Sequence, residues 1–177
     1  MTDFDFFDDQ FECSICGSSQ VVPPVGNLKS PVLIVGKYPG TEEIKEGIPM
    51  VGPMGNILKQ ELFVLGMDLK QTRRMNLWQH PPNNNPDCYQ HGVDTVLMES
   101  KGRKAILLLG DDVVSQFLPG KSVMSIAGLV MESPFFTAPV VASPNPAIVF
   151  QKSGKVGEVR FSLHQFVKLV SEVLDEG

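Results

Sequence analysis

Val32-Leu33-Ile34-Val35-Gly36-Lys37-Tyr38-Pro39-Gly40-Thr41-Glu42-Glu43 opens with four apolar residues and runs at once into a turn rich in glycine and proline. An apolar run without polar alternation reads as a strand buried on both faces. Gly36, Pro39 and Gly40 fix a tight turn and let the backbone approach a ligand. Ala105 to Leu109 repeats the pattern and ends at Gly110. Between these runs, Ile57, Leu58, Leu62 and Leu65 recur at helical spacing within Asn56 to Leu65, and Gly66 ends that segment. Buried strands separated by helices imply a three-layer α/β/α fold with a central, mostly parallel sheet. Ligands of such sheets sit outside the carboxyl ends of the strands. The loops after Gly36, after Trp78 and after Val141 are therefore the places to look for chemistry.

The rest of the chain fits one domain spanning 1–177. Arg74 to Trp78 reads as a strand entering a loop of His80, Pro81, Pro82 and three asparagines. Val93 to Glu99 and Asp111 to Phe117 read as helices; Gly128 to Glu132 and Pro139 to Val141 read as weaker strands. Ser162 to Glu176 is the clearest helix. Leu163, Phe166, Val167, Val170, Val173 and Leu174 form its apolar stripe, and Ser162 with Gln165 has the pattern of a capping box. Residues 1–10 and Lys152 to Gly157 are expected to be flexible, and residues 11–30 to form an N-terminal metal-knuckle segment.

The net charge is −5, with 42% hydrophobic and 20% charged residues. An acidic total argues against tight non-specific binding to nucleic acid, which rests on lysine and arginine neutralising phosphates. Local basic patches remain at Lys101, Arg103 and Lys104 and at Lys152, Lys155 and Arg160. No apolar run reaches the length of a membrane span, and the acidic start lacks the blocks of a signal peptide. The expectation is a cytoplasmic protein with no membrane partner. Three cysteines, Cys13, Cys16 and Cys88, argue against a disulfide framework.

Four ordered motifs carry a resemblance. GKYPGTEE at 36–43 is followed by GIPMVG at 47–52 and a helix. RRMNLWQHPPNNNP then follows at 73–86, AILLLG at 105–110, and SPNPAIVF at 143–150. In this order and at this spacing, the chain resembles the family 4 (iron–sulfur type) uracil-DNA glycosylases. That family has GE-x-PG, then GxPFVG, a TN-x-x-KCRPPGNR-like segment, a strand ending in LG, and an HPAYLL-like segment. The resemblance implies a base-excision enzyme acting on DNA. Such an enzyme draws the target base out of the stack into a pocket and hydrolyses its N-glycosidic bond.

Residue by residue, the resemblance makes Asn76 the reader of the base edge, since one amide offers both a donor and an acceptor. Gly36, Pro39 and Gly40 form the pocket turn. Met50 stands where the family has a stacking phenylalanine, and its polarisable sulfur can still cover a base; Tyr38 is a second stacking candidate. Lys37 replaces the family's glutamate, and a lysine there suits a DNA phosphate or an anionic substituent. Glu43 matches a second acidic position and becomes the candidate carboxylate for orienting water. Asn145 replaces the family's histidine, beside Pro146, in the NP form of other branches of the superfamily; its amide can donate to the departing base. Lys152 is a candidate backbone contact.

The family also holds a four-iron, four-sulfur cluster on four cysteines. Cys13-Ser14-Ile15-Cys16-Gly17 has the knuckle form of a metal site, and Cys88 supplies a third ligand. Gln79 occupies the position of a missing cysteine. Two histidines offer a replacement: His80, next to it, and His91, which makes Cys88-x-x-His91. A set of three thiolates and one imidazole suits zinc, a cluster with one histidine is also compatible, and a third reading is that no metal binds. His164 reads as structural.

Three readings of function follow. The first is a DNA glycosylase for uracil or a modified pyrimidine, with Glu43 and Asn145 catalytic. The alternative is an inactive protein of the same fold that binds DNA, or a protein partner in a repair or replication assembly; a third, weaker reading is a different nucleotide- or base-modifying reaction in the same pocket.

Overall fold

A computed structural model describes residues 12–150 and 155–176. The expected flexibility of residues 1–10, and Lys152 itself, lie outside the described residues.

Five strands form one sheet in the order β2-β1-β3-β5-β4. They are β1 (Val32–Gly36), β2 (Arg73–Asn76), β3 (Ala105–Leu109), β4 (Val130–Met131) and β5 (Val140–Ser143). β1 runs parallel to both β2 and β3, and β3 runs parallel to β5. Among the described strands, the two-residue β4 is the antiparallel one. The sheet is thus mostly parallel, as its uninterrupted apolar strands require.

Alternate residues of each strand enter different cores. Leu33, Val35, Ile106 and Leu108 pack under α3 (Pro86–Ser100) and α4 (Asp111–Phe117), with Val93, Val96 and Phe117. Val32, Ile34, Leu107 and Leu109 pack on the opposite face under α2 (Pro53–Val64) and α6 (Val156–Asp175), with Leu58, Leu62, Leu163 and Phe166. This is the three-layer α/β/α arrangement. Two short helices, α1 (Thr41–Glu46) and α5 (Val123–Ile126), complete the connections.

Several element boundaries differ from the sequence reading. α2 begins at Pro53, with Pro at the first turn, where its missing N–H costs nothing. α3 begins at Pro86 rather than Val93, because Asn85 caps it by accepting from the Asp87 N–H at 2.9 Å. α6 begins at Val156, so Ser162 is no cap. Its hydroxyl instead donates to the Glu158 carbonyl one turn back. The segment expected to be flexible before Ser162 is therefore helical from Val156 onward.

An ion network anchors the chain before β1. Glu99 accepts from Arg73 at 2.6 Å and from Arg103 at 3.2 Å. Arg73 also donates to the Gly26 carbonyl, and Arg103 to the Leu28 and Ser30 carbonyls. Arg103 is therefore a buried strut and not part of a basic surface patch, and Arg160 is paired with Glu61 at 3.0 Å.

Candidate functional site

The sheet order reverses at β1: the chain leaves it for β2 on one side and later returns to β3 on the other. The crevice beyond the carboxyl ends of β1 and β3 is where such folds bind ligands. A pocket of about 430 Å³ opens there. Its walls include Lys37, Tyr38 and Glu43 after β1, Pro53 and Met54 of α2, Gly110, Asp111 and Asp112 after β3, and Asn145 after β5.

Asn76 ends β2 beside Gly36 and is 2% exposed. A Cβ on Gly36 would stand 2.5 Å from the Asn76 Oδ1 and 3.4 Å from the Met50 methyl. Only glycine lets these three residues meet. Among the described residues, the Asn76 side-chain amide makes no hydrogen bond. Met50 is buried and holds a left-handed backbone, φ 62°. This conformation costs energy for a residue with a Cβ. It is held in place by α2, where Gly55 lies against the Met50 carbonyl so closely that no Cβ would fit, and by Arg74, which donates to the Pro49 carbonyl. Burial holds the Arg74 guanidinium below its usual range. Met50 packs into the core between the sheet and α2, behind the pocket wall.

Glu43 lines the pocket, as its sequence position suggested, and also has a structural task. It is 6% exposed, and both oxygens accept backbone N–H groups, from Gly40 at 3.1 Å and from Gly52 at 2.8 Å. Gly52 is the N-cap of α2. Glu43 therefore clamps the turn after β1 to the start of α2. Both glycines are needed for this close approach, because a Cβ on either would lie about 3 Å from a Glu43 oxygen.

Lys37 does not reach out to solvent as a free cation. Its Nζ lies 2.8 Å from Asp112 Oδ2 and 5.2 Å from the Tyr38 ring centroid. The hydrogen bond to Asp112, partly offset by burial, raises the lysine pKa and keeps it charged. Asp112 is exposed and lines the pocket; sequence reading missed it. Its neighbour Asp111 accepts the Val123 N–H at 2.8 Å and so holds α5. Asn145 is exposed, and its Oδ1 accepts the Ala147 N–H at 2.9 Å. That bond orients the amide, and among the described residues its NH₂ has no hydrogen-bond partner. Pro39 and Pro146 are buried and shape the turns that carry these side chains.

A second cluster stands apart from the pocket walls. The ligand atoms of Cys13, Cys16, His80 and Cys88 all lie within 4.8 Å of one another. The knuckle turn positions the first two: Gly17 takes a left-handed φ of 70°, and its N–H donates to the Cys13 carbonyl at 2.8 Å. Cys88 comes from the first turn of α3. His80 comes from the loop after β2 and is 3% exposed. His91, the other histidine considered, is exposed on α3 and is not brought into the group. The spacing Cys88-x-x-His91 allowed both choices; the position of the loop after β2 selects His80.

Burial raises the Cys13 thiol, but hydrogen bonds from the Cys16 and Ile15 backbone and from the Cys16 and Cys88 thiols outweigh it and bring its pKa to about 7. Burial, with the thiols of Cys16 and Cys13 adding to it, pushes Cys88 to about 11. Thiols crowded in this way form a group that could hold a metal cation in place of their protons.

Residues 23–173 match the family model described as the Uracil DNA glycosylase superfamily. The chain is 28% identical over 171 residues to the type-4 uracil-DNA glycosylase of Pyrobaculum aerophilum, a match covering 82% of this chain and 81% of that one. It is 30% identical over 122 residues to the type-4 enzyme of Thermotoga maritima, covering 63% and 64%. With the type-4 enzyme of Archaeoglobus fulgidus, identity is 36% over 66 residues, 37% of this chain and 33% of the relative. The chain thus spans only about a third of the length of some of the curated relatives it matches. The family match, by contrast, runs from just before β1 to near the end of α6, through all three loops that wall the pocket. By that match, the chain belongs to the uracil DNA glycosylase superfamily.

Proposed function

We propose that this chain is a DNA glycosylase that hydrolyses the N-glycosidic bond of uracil or of a modified pyrimidine. The observation that carries this reading is the convergence of three strand-end loops on one pocket, with Asn145, whose NH₂ has no partner among the described residues, in its wall and the Asn76 amide beside Gly36.

The target nucleotide leaves the base stack and enters the crevice. Asn76 addresses the base edge, donating to a carbonyl oxygen and accepting from a ring N–H. Tyr38, half-exposed at the pocket mouth, offers a face for stacking. The glycosidic bond breaks with its electron pair moving onto the base, and the Asn145 NH₂ donates to the base oxygen where that charge gathers. Positive charge builds on the sugar. Asp112, steadied by Lys37, orients a water for attack at the anomeric carbon and takes up its proton. Asp112 is favoured over Glu43, which also lines the pocket, because a backbone N–H donates to each Glu43 oxygen and competes there with a water. Lys37 is thereby a positioning residue for the carboxylate. The candidate DNA-backbone contact among the described residues is Lys155, which lines the adjoining groove.

The Cys13, Cys16, His80 and Cys88 group is a metal centre with a structural role in this reading. It joins the N-terminal knuckle to the loop after β2 and to the start of α3, the segments flanking Asn76. The test is release of free base from oligonucleotides carrying uracil or modified pyrimidines. Absence of release from all of them at enzyme excess would return the alternative of a binding protein.

A further inference from the structure

The four-iron cluster implied by the family resemblance does not fit the ligand set of this chain. Each ligand of such a cluster sits on a different iron, so a core of four irons and four sulfides must fit between the ligand atoms. Here the four ligand atoms lie within 4.8 Å of one another. That spacing leaves room for one ion.

The individual distances support a single ion as well. With zinc–sulfur bonds of about 2.3 Å and zinc–nitrogen bonds of about 2.05 Å, a regular tetrahedron has a sulfur–sulfur edge of about 3.8 Å and a sulfur–nitrogen edge of about 3.6 Å. The Cys13 and Cys88 sulfurs are 3.9 Å apart, and the Cys16 sulfur is 3.6 Å from the His80 Nε2. These two edges share no atom, so between them they involve all four ligands.

His80 is also prepared as a ligand. Its Nδ1 donates to the Pro81 carbonyl at 2.8 Å, which fixes the tautomer and leaves the Nε2 lone pair facing the cysteines. A second hydrogen bond of this kind accompanies most metal-bound histidines. The neighbouring position, Gln79, supplies no thiolate, and its buried Nε2 has no hydrogen-bond partner among the described residues.

We propose that Cys13, Cys16, His80 and Cys88 hold one zinc ion in a closed tetrahedral site. Three thiolates and one imidazole suit zinc, and four protein ligands leave no open position for catalysis. The centre is therefore structural. This inference rests on the ligand geometry and stands whether or not the chain releases bases.

The experiment is purification of the full chain under strict anaerobiosis from cells supplied with both iron and zinc, followed by metal analysis and a visible spectrum. The expected result is one zinc per chain, negligible iron, and no band near about 400 nm. Exchange with cobalt should then give the intense long-wavelength bands of a tetrahedral thiolate site. His80→Cys should keep one metal per chain and shift those bands. Wild-type protein carrying four irons with acid-labile sulfide would overturn the proposal. So would wild-type protein that retains neither zinc nor cobalt after dialysis. Both readouts use unmodified protein, so a variant that fails to fold leaves the test intact.

Discussion

Glu43→Gln separates a clamp from a catalytic carboxylate. In the structure, one oxygen accepts the Gly52 N–H at the start of α2 and the other accepts the Gly40 N–H. Glutamine keeps one acceptor and sets an NH₂ against the second backbone N–H. The change removes one charge-assisted hydrogen bond, about 1.5–3 kcal/mol, and the negative charge at the N-terminus of α2, about 0.3–1 kcal/mol. The sum is about 3 kcal/mol, because Glu43 is buried and water replaces little of the loss. For a chain of this length each kcal/mol moves Tm by about 2–4 °C, so Tm should fall by roughly 6–12 °C. Thermal unfolding followed by circular dichroism gives the shift, and base release measured well below the new Tm gives the second readout. The clamp account expects a large fall in Tm with base release largely kept at low temperature. An unchanged Tm with base release abolished would refute it and make Glu43 the water-orienting group.

Three further outcomes follow from the same geometry. Asp112→Asn should lower base release by about 100-fold or more while leaving Tm within a degree or two, since Asp112 is exposed and its only ion-pair partner among the described residues is Lys37; unchanged release would remove it from the mechanism. Gly36→Ala places a Cβ 2.5 Å from the Asn76 Oδ1, so it should weaken base release by displacing the base-reading amide, and a variant with wild-type rates would show that Asn76 does not read the base. The Arg73 hydrogen bond, with Arg103 adding to it, holds the Glu99 carboxyl below its usual range against the opposing effect of burial; its stabilisation is present above the unfolded value of about 4.3 and is lost as pH falls through the lower folded value. Glu99→Gln should therefore cost about 3 kcal/mol near neutral pH and little in strong acid, as read by urea unfolding across pH.

Much of the fold could be read from uninterrupted apolar runs. Val32 to Val35 and Ala105 to Leu109 are buried on both faces, so their composition carried the signal for a parallel sheet without any long-range information. The ends of helices were less legible. The Asn85-Pro86 pair is a cap followed by a favoured first residue, a local signal that would have extended α3 to its true start. At the site, Glu43 was legible as a carboxylate near the pocket turn, but its clamp was not. Its role depends on Gly52, nine residues later, folding back onto it. The Lys37–Asp112 pair joins the ends of β1 and β3, which neighbour each other only once the sheet has formed. The metal group was legible as far as the three cysteines. Choosing His80 over His91 required the path of the loop after β2, which sequence spacing does not encode.

The central claim is base excision in the crevice beyond β1 and β3. The most direct measurement is incubation of wild-type protein with oligonucleotides containing uracil or modified pyrimidines, single- and double-stranded, with free base and alkali-labile sites quantified. The account predicts base release from at least one of these substrates, reduced by about 100-fold or more in Asn145→Ala. No release from any substrate at enzyme excess, or release untouched by that substitution, would contradict it.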